Sequence, residues 1–323
     1  MNSGTKTSPE TPRTDAAAGP TLKPQRVLAL ILLICQAGIT FTGAIVRVTG
    51  SGLGCVTWPQ CHPGSLLPEA GAAPMIHQAI EFGNRLLTFV LVAAAAAVMW
   101  ALYKAGRRSE LKTYGWINVA GIVIQALIGA LSVKLKLSWW SVALHFLPSM
   151  ILVWVAALLY IRITESDEDT PTVMFPKTIR TVAALAATAL SIVLITGTFV
   201  TGSGTHSGDD GVGMEERLGI DTYQMAVGHA VCMYIYLALT ITVVFLLYRN
   251  HAARDTKRIG WVLIGCIIAQ WIIGVSQYYL HIPSWTVPFH VLMSSVVTTY
   301  TAFLWAQGVR RLPAAEAAVA TAS

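Results

Sequence analysis

Charged residues are scarce in this chain of 323 residues. Asp, Glu, Lys and Arg together make up 12% of it, and hydrophobic residues make up 54%. About a quarter of the residues of a soluble domain are charged, so the composition excludes an ordinary soluble protein. Apolar runs of roughly 20 residues, long enough to cross a bilayer core, occur instead. We predict membrane spans at residues 27–47, 77–102, 115–135, 139–161, 180–201, 222–248, 258–280 and 285–308.

Acidic residues are fewer than basic ones, 16 against 22, and the basic residues collect in alternate loops. These loops join spans two and three, four and five, and six and seven, and basic residues also flank the first and last spans. Basic loops stay in the cytoplasm, so both termini are predicted to be cytoplasmic. The net charge of +6 therefore reflects membrane topology, and we predict no nucleic-acid partner.

Cysteine is also rare, with five in the chain, and three of these lie within predicted spans. The other two, Cys55 and Cys61, lie close together in the first outer loop. Because the outer compartment permits disulfides, a bridge between them is feasible, and a pair of free thiols is the alternative. The loop that carries them could fold over the outer edge of a ligand as a lid.

The segments outside the spans are polar or of low complexity. We see no cleavage site of the Ala-x-Ala type after span one and expect that span to be an uncleaved anchor. Residues 1–24 and 312–323 are predicted to be disordered cytoplasmic tails. Residues 165–178 form an acidic cytoplasmic linker, interpreted as a solvated hinge. The second outer loop is interpreted as a solvated acidic cover, with Asp209, Asp210, Glu215 and Glu216.

The two halves of the sequence repeat one another. When the sequence is shifted by 145 residues, several polar, aromatic and small residues of the spans coincide. Such residues are rare or costly inside apolar helices, so these identities indicate an internal repeat. The coinciding pairs are Lys112/Lys257, Gly115/Gly260, Trp116/Trp261, Gln125/Gln270, Gly129/Gly274, Trp140/Trp285, His145/His290 and Ser149/Ser294.

The repeat predicts an all-α membrane protein of eight transmembrane helices, arranged as two parallel-repeat four-helix bundles. The bundles are expected at residues 25–164 and 179–311. The first span of each half ends in a shared pattern, Thr-Gly-x-x-Val followed by Gly-Ser-Gly, at residues 42–52 and 196–204. Glycines there allow the chain to leave the helix and approach a ligand closely.

Four of the eight histidines lie on the even-numbered spans, all near the outer side. An imidazole within a span needs a partner, because an unsatisfied polar group in hydrocarbon costs several kcal/mol. Hydrogen bonds to neighbouring helices are one explanation. The regular placement favours another, in which two facing imidazoles bind one haem iron in each half. The expected pairs are His77 with His145 and His229 with His290. Zinc or copper is the weaker choice, since neither pair has a Cys or carboxylate cluster.

The second span of each half differs in its polar residues. Asn84 occupies the register position of His229, and His77 lies seven residues earlier, about 10 Å further out. Glu81 and Arg85 stand where the second half has alanines. These two charges either form an ion pair or place a carboxylate beside a cofactor. A catalytic site in one half and an electron-transfer site in the other explains the difference better than two equal redox centres.

Arg47 lies at the outer end of span one, within the shared Thr-Gly segment. A guanidinium at that depth can pair with a haem propionate. The alternative is that its side chain extends to the lipid headgroups.

Together these residues resemble the haem A synthase family of the respiratory-oxidase assembly pathway. The resemblance covers residues 27–308. It rests on the segment Thr-Gly-Ala-x-Val-Arg-x-Thr-Gly-Ser-Gly-x-Gly-Cys at 42–55 and on Trp58-Pro59-x-Cys61. The remaining matches are Glu81-Phe82-x-x-Arg85, Leu144-His145-Phe146, Gly228-His229 and His290.

The resemblance implies oxidation of a methyl group of haem O to the formyl group of haem A, with oxygen from water. It implies haem b in the C-terminal half, with His229 and His290 as axial ligands. The N-terminal half would then be the substrate site, with Glu81 as its essential carboxylate, and Cys55 and Cys61 match the family's paired cysteines. The implied surroundings are a cell membrane, the haem O synthase that supplies the substrate and an unidentified electron acceptor; a homo-oligomer stays open.

The chain departs from the family at Asn84. The family motif Glu-x-x-His-Arg reads Glu-Phe-Gly-Asn-Arg at residues 81–85. We therefore expect His77 to take over as a ligand of the substrate haem, with Asn84 lining the same site; ligation by His145 alone is the alternative. Arg47 and Arg85 are expected to place positive charge near the propionates.

Two other functions fit parts of the pattern. A di-haem b cytochrome that moves electrons from quinone would explain four histidines, but the unlike halves argue against it. A proton-coupled duplicated transporter would explain intramembrane histidines. Their position toward the outer side, away from the midplane, argues against that function.

Overall fold

Eight long helices dominate the computed structural model, which describes residues 22–204 and 217–322. Each is long and apolar enough to cross a membrane, and the predicted all-α membrane protein is confirmed. Their ends lie within six residues of the predicted spans. The helices are α1 (Leu22–Val48), α2 (Met75–Lys104), α3 (Ser109–Lys134), α4 (Trp139–Arg162), α5 (Lys177–Ser203), α6 (Thr222–Arg249), α7 (Arg254–Tyr279) and α8 (Thr286–Ala306).

Two sequence-based predictions fall largely or wholly outside the described residues. The tail predicted at residues 1–24 is described only from Leu22, where α1 begins. The acidic cover of the second outer loop lies within 205–216, and it stays a prediction.

Successive helices pack against one another in pairs, and the two halves meet through α1 and α4 on one side and α5 and α8 on the other. Thr40 of α1 and Ser295 of α8 share a buried hydrogen bond of 3.0 Å. Trp139 of α4 packs edge-on against Phe199 of α5, with ring centroids 6.1 Å apart. Because α4 also packs on α8, the helices that carry His145 and His290 lie at the junction of the halves.

Several local contacts recur at the repeat distance of 145 residues. The indole of Trp116 donates to the hydroxyl of Tyr103 at 3.0 Å, and that of Trp261 donates to Tyr248 at 3.1 Å. The turns before α4 and α8 also match, since each contains two consecutive left-handed residues. These are Lys136 and Leu137 in one turn, and His281 and Ile282 in the other. The matched contacts support the predicted repeat.

The outward faces of the helices are apolar. Phe89, Trp100 and Phe245 expose 72%, 64% and 58% of their surface. Large apolar side chains exposed to this degree are unfavourable in water but favourable in contact with lipid. This distribution of surface agrees with a multi-pass membrane protein.

Two short strands tie the linker to the end of the chain. Strand β1 (Thr170–Val173) lies within the linker and pairs antiparallel with β2 (Val309–Leu312), which follows α8. We call the end of the bundle that carries these strands the linker end, and the opposite end the histidine end. Because β1 is hydrogen-bonded along its length, the interpretation of the linker as a solvated hinge is wrong.

Two acidic residues of the linker, Glu165 and Asp167, are bound by arginines rather than solvated. Arg107, only 6% exposed, donates six hydrogen bonds: to Gln25, to the carbonyls of Ile163 and Glu165, and to the carboxylate of Asp167. The basic partners come from the loop between α2 and α3 and from the end of α4. Arg162 is the local partner of Glu165, but Arg107 and Arg108 are distant in the sequence from Asp167, which is why local composition indicated a free acidic segment.

The Ala-rich segment at the end of the chain is also ordered. Residues Ala314–Ala322 form helix α9, which packs near β1. Alanine has the highest helix propensity of all residues, and docking against the strand pair gives this short helix a surface to rest on. The prediction that residues 312–323 form a disordered tail is therefore wrong.

Asp167 has the most strongly shifted carboxyl group at the linker end. Partial burial alone would raise the pKa of Asp167, but hydrogen bonds from Arg107 and Arg108, together with the charge of Arg107, lower that pKa to about 2. A folded-state pKa below the ordinary value stabilises the fold at every pH above the unfolded-state pKa, near 4. That stabilisation is lost as the pH falls through about 2.

We therefore predict a pH-dependent effect of Asp167→Asn. At neutral pH the variant should lose about 1–3 kcal/mol of stability, because two arginines lose a charged acceptor. The difference from the unmodified protein should shrink between roughly pH 4 and pH 2. Thermal unfolding in detergent across this range measures it. Asp255→Asn, an exposed carboxyl at the same end of the bundle, is the control; equal effects of both variants at all pH values would contradict the account.

Candidate functional site

The four predicted histidines lie at one end of the bundle, within the first eight residues of α2, α4, α6 and α8. His77 is the third residue of α2 and His145 the seventh of α4. His229 is the eighth residue of α6, and His290 is the fifth of α8. The histidine end thus has two candidate pairs, and their surroundings differ.

In the second half, His229 and His290 face each other. Their ring centroids are 6.4 Å apart and their planes are inclined by 61°. Two imidazoles on opposite sides of one metal ion, each with a metal–nitrogen bond of roughly 2 Å, would have ring centres about 6 Å apart. The pair therefore has the spacing required to hold one iron between the rings.

A threonine orients His229. Its Nδ1 lies 3.1 Å from Oγ1 of Thr196 on α5. That hydroxyl donates its own proton to helix carbonyls, at 2.9 Å to Ile192 and 3.0 Å to Val193, so it accepts from Nδ1–H. The ring is thereby fixed in the tautomer whose Nε2 has a free lone pair, which is the form that ligates metals.

His290 is held from behind by α7. The side-chain amide of Gln270 donates to the His290 carbonyl at 3.0 Å. Nδ1 of His290 is buried, and none of the described residues is its hydrogen-bond partner. Buried polar nitrogens in proteins nearly always have a partner, so an unpaired imidazole nitrogen here is consistent with a site built around a bound group.

Glycines give the imidazole rings room. A Cβ added at Gly197 would lie 3.3 Å from Cε1 of His229, and one at Gly274 would lie 3.3 Å from Cε1 of His290. These approaches are closer than most real Cβ contacts, so a larger residue at either position would push against the ring. The residues of this half fit a haem held between two imidazoles.

His145 in the first half has the same surroundings as His290. The amide of Gln125 donates to the His145 carbonyl at 2.9 Å. A Cβ at Gly129 would lie 3.5 Å from His145 Cε1. Nδ1 of His145 is likewise buried without a hydrogen-bond partner in the part of the chain that the structure describes. His145 thus has the same kind of support from its neighbouring helix as His290 has.

The residue that corresponds to His229 in the first half is Asn84. Its Oδ1 accepts a hydrogen bond of 2.7 Å from Thr42 of α1, just as Thr196 contacts His229 in the second half. His77 does not contact this threonine. Its Nδ1 lies 2.9 Å from the hydroxyl of Ser51, a fully buried residue of the loop after α1.

Glu81 is a buried carboxylate beside the first site, 4% exposed. It accepts a hydrogen bond of 2.6 Å from the backbone N–H of Cys55 and forms an ion pair with Arg85. Arg85 also donates to the carbonyls of Cys55 and Thr57, at 2.9 and 2.8 Å. The ion pair that the sequence left open is therefore formed, and it binds the first outer loop to α2.

The cysteines of that loop form the predicted disulfide, Cys55–Cys61, and both are fully buried. Because Cys55 contacts Glu81 through its backbone, the disulfide lies next to the carboxylate. In the second half, Ala226 and Ala230 stand at the positions that correspond to Glu81 and Arg85. A buried carboxylate beside the histidines thus occurs in the first half alone among the described residues of the two sites.

Sequence reasoning missed the residue that organises this loop. Gln78 is fully buried; its Oε1 lies 2.8 Å from Nε2 of His62, and its amide donates to Glu69 and Ala73 at 2.8 Å each. His62 is itself buried, only 4% exposed. The available signal was a glutamine in the first turn of an apolar helix, where an amide needs partners.

Arg47 joins the two halves at the histidine end. Its guanidinium donates to the carbonyl of Thr201 on α5 at 2.8 Å. Its Nε is buried, and no acceptor for it lies among residues 22–204 and 217–322. The side chain is thus directed between the halves and not along the lipid surface, and it has a donor to spare for an anionic group.

Comparison with known proteins places these residues in a family. Three curated relatives named "Heme A synthase" are similar to parts of the chain. The protein of Lysinibacillus sphaericus (strain C3-41) is 35% identical over 167 residues, 50% of this chain and 53% of the relative. That of Bacillus licheniformis is 35% identical over 144 residues, 43% and 45% of the two chains. That of Bacillus pumilus is 36% identical over 149 residues, 44% and 47%.

The chain thus matches these relatives over about half of their length. A family described as "Cytochrome oxidase assembly protein", COX15-CtaA, matches residues 26–302. That match extends from the first helix into the eighth, and so includes both histidine pairs. The chain therefore belongs to the COX15-CtaA family of cytochrome oxidase assembly proteins.

Proposed function

We propose that this chain is a haem A synthase, which oxidises a methyl group of haem O to a formyl group. The observation that supports it most is the inequality of the two sites. One site has two facing imidazoles, 6.4 Å between ring centres; the other has one such imidazole and a buried carboxylate. A reaction on one haem with electron transfer through another needs this division.

The second half would hold haem b in this proposal, with His229 and His290 as its ligands. A haem in that position supplies one-electron redox chemistry. Thr196 keeps the His229 lone pair directed into the site, and Gly197 and Gly274 let the rings approach their helices. The apolar bundle around the site excludes water, which keeps the electron path separate from solvent.

The first half holds haem O as substrate, with His145 on one side of it. Conversion of a methyl group and one water to a formyl group releases four electrons and four protons. Glu81 is the group placed to accept protons or orient the water, and a positioned carboxylate is an effective general base. Arg85 and the Cys55 N–H hold the Glu81 carboxylate in one orientation. In this arrangement the disulfide loop is part of the proton-transfer site.

The two arginines then have separate roles. Both terminal guanidinium nitrogens of Arg85 donate to Glu81 or to loop carbonyls, so we assign Arg85 to holding Glu81. Arg47 has a buried Nε without an acceptor in the described residues and is the better partner for a propionate. The two alternatives from the sequence, His77 as a second ligand and ligation by His145 alone, both remain predictions.

The partners follow from the proposed reaction. Haem O is very hydrophobic, so we propose that a haem O synthase supplies it within the membrane. The released electrons need an acceptor outside the chain, which is unidentified, and a homo-oligomer stays open. A di-haem b cytochrome does not require a buried carboxylate such as Glu81. A proton-coupled transporter does not require paired imidazoles that pack against glycines.

The reaction can be tested on the purified full chain from a host that makes haem O. The porphyrins are extracted with acid acetone and identified by mass spectrometry. Haem A, or its hydroxylated precursor, should appear together with haem b. Two haems b per chain and no altered porphyrin would support the di-haem b cytochrome instead. A protein without haem would favour the transporter, in which the histidines transfer protons.

Glu81→Gln should lower haem A formation by about 10²–10⁴-fold, because the general base is removed. The haem b absorption spectrum should be unchanged, since the second half is untouched. Glu69→Gln, an exposed carboxyl of the same loop, is the matched control. If Glu81→Gln made haem A at the normal rate, its assigned role would be wrong.

His290→Ala should abolish the low-spin spectrum of the haem in the second half, because one of its two imidazoles is removed. The measurement is the reduced-minus-oxidised absorption of the purified protein. His281→Ala removes an exposed histidine of the turn before α8, which contacts Tyr223, and should leave the spectrum intact. Equal spectra of the two variants would exclude His290 as a ligand.

A further inference from the structure

The register of the repeat places an amide, Asn84, at the position across from His145. His145 and His290 have matching contacts with Gln125 and Gln270 and with Gly129 and Gly274, so the helices on which they lie present them at equivalent depth. The side chain that faces His290 is His229. Its equivalent in the first half by register is Asn84.

The threonine contacts support this equivalence independently of the alignment. Thr42 and Thr196 stand at the same place in the shared Thr-Gly pattern of α1 and α5. Thr42 contacts the Asn84 side chain at 2.7 Å, and Thr196 contacts the His229 ring at 3.1 Å. Equivalent threonine hydroxyls therefore contact an imidazole in one half and a carboxamide in the other.

His77 belongs to a different layer of the structure. It precedes Asn84 by seven residues, or roughly 10 Å along the helix axis. Its Nδ1 contacts Ser51, whose hydroxyl also lies 2.8 Å from that of Thr49. The His77 ring is thus a part of the loop that covers the site. A ring at that height cannot face His145 as His229 faces His290.

A carboxamide and an imidazole do different chemistry at this position. Iron in haem takes imidazole nitrogen as an axial ligand, whereas a neutral amide is chiefly a hydrogen-bonding group. The Thr42 hydroxyl donates to Oδ1 of Asn84, so the amide oxygen is occupied. No described residue accepts a hydrogen bond from the amide N–H groups of Asn84, so they are donors that a bound ligand could use.

We propose that the substrate haem is bound by His145 from one side only, and that Asn84 keeps its other axial face open to a water-sized ligand, which the Asn84 amide N–H hydrogen-bonds. This inference rests on the proposed function for the identity of the bound haem. It adds to that function that the reacting haem has one accessible face. The other haem has none, because His229 and His290 occupy both of its faces.

Carbon monoxide tests this directly, because it binds reduced haem iron only where an axial position is free. The full chain is purified with both haems, reduced, and titrated with carbon monoxide. One carbon monoxide per chain should bind in the unmodified protein. Asn84→His should lose this binding, because a second imidazole then occupies the open face, and His77→Ala should retain it. Asn250→His, an exposed asparagine at the linker end, is the control.

A second measurement protects the test against a misfolded Asn84→His. Asn84→Ala removes the amide donor without adding a ligand, so carbon monoxide should still bind. Its C–O stretching frequency in the infrared should rise, because a hydrogen bond to the bound molecule is lost. The low-spin spectrum of the His229–His290 haem reports whether each variant is folded.

Several outcomes would overturn the inference. One is a two-haem protein that binds no carbon monoxide, above all if His77→Ala then gains binding. Unchanged binding in Asn84→His, or an unchanged C–O frequency in Asn84→Ala, would also do so, as would a chain with haem in its second half alone. These readouts do not require turnover. If carbon monoxide binding and the C–O frequency agree with expectation but no haem A is ever extracted, the proposed function is wrong. The proposal that the haem bound by His145 has an open axial face would still hold.

Discussion

The structure depends on one constraint: a polar side chain on a membrane-spanning helix must find its partner within the protein. Thr196 meets this need for His229, and Thr42 meets it for Asn84. Gln125 and Gln270 donate to the backbone beside His145 and His290. Because these contacts come from neighbouring helices, they orient the functional side chains and also join the helices in pairs. Nδ1 of His145 and Nδ1 of His290 stay buried without a hydrogen-bond partner among the described residues.

Unequal function can arise on a repeated frame when few positions change. Glu81, Asn84 and Arg85 of α2 correspond to Ala226, His229 and Ala230 of α6. These differences convert a closed pair of imidazoles into a site with one imidazole, an amide and a clamped carboxylate. The frame behind them, with its glycines and glutamines, is retained in both halves. The disulfide loop adds the remaining difference, since it fastens Glu81 from outside the helix.

Much of this was predictable from the sequence, and the reasons are physical. Apolar runs of bilayer length specified eight helices, and the histidines on even spans specified where a site should lie. The disulfide followed from two cysteines in one short loop. Contacts between distant segments were not predictable. Arg107 donates hydrogen bonds to four residues from two helix ends and the linker. Strand β1 pairs with β2, which lies near the other end of the chain. The role of Gln78 was missed because its partners lie in an irregular loop.

The central claim is that the two halves hold haem in unlike ways. An experimental structure of the full chain, determined with haem O and haem b bound, tests it most directly. Iron is expected between the imidazoles of His229 and His290. A second iron is expected to be bound by His145, with the Asn84 amide across from it and Glu81 beside the porphyrin edge. Iron bound by two histidines in both halves, or haem bound away from the histidine end, would contradict it.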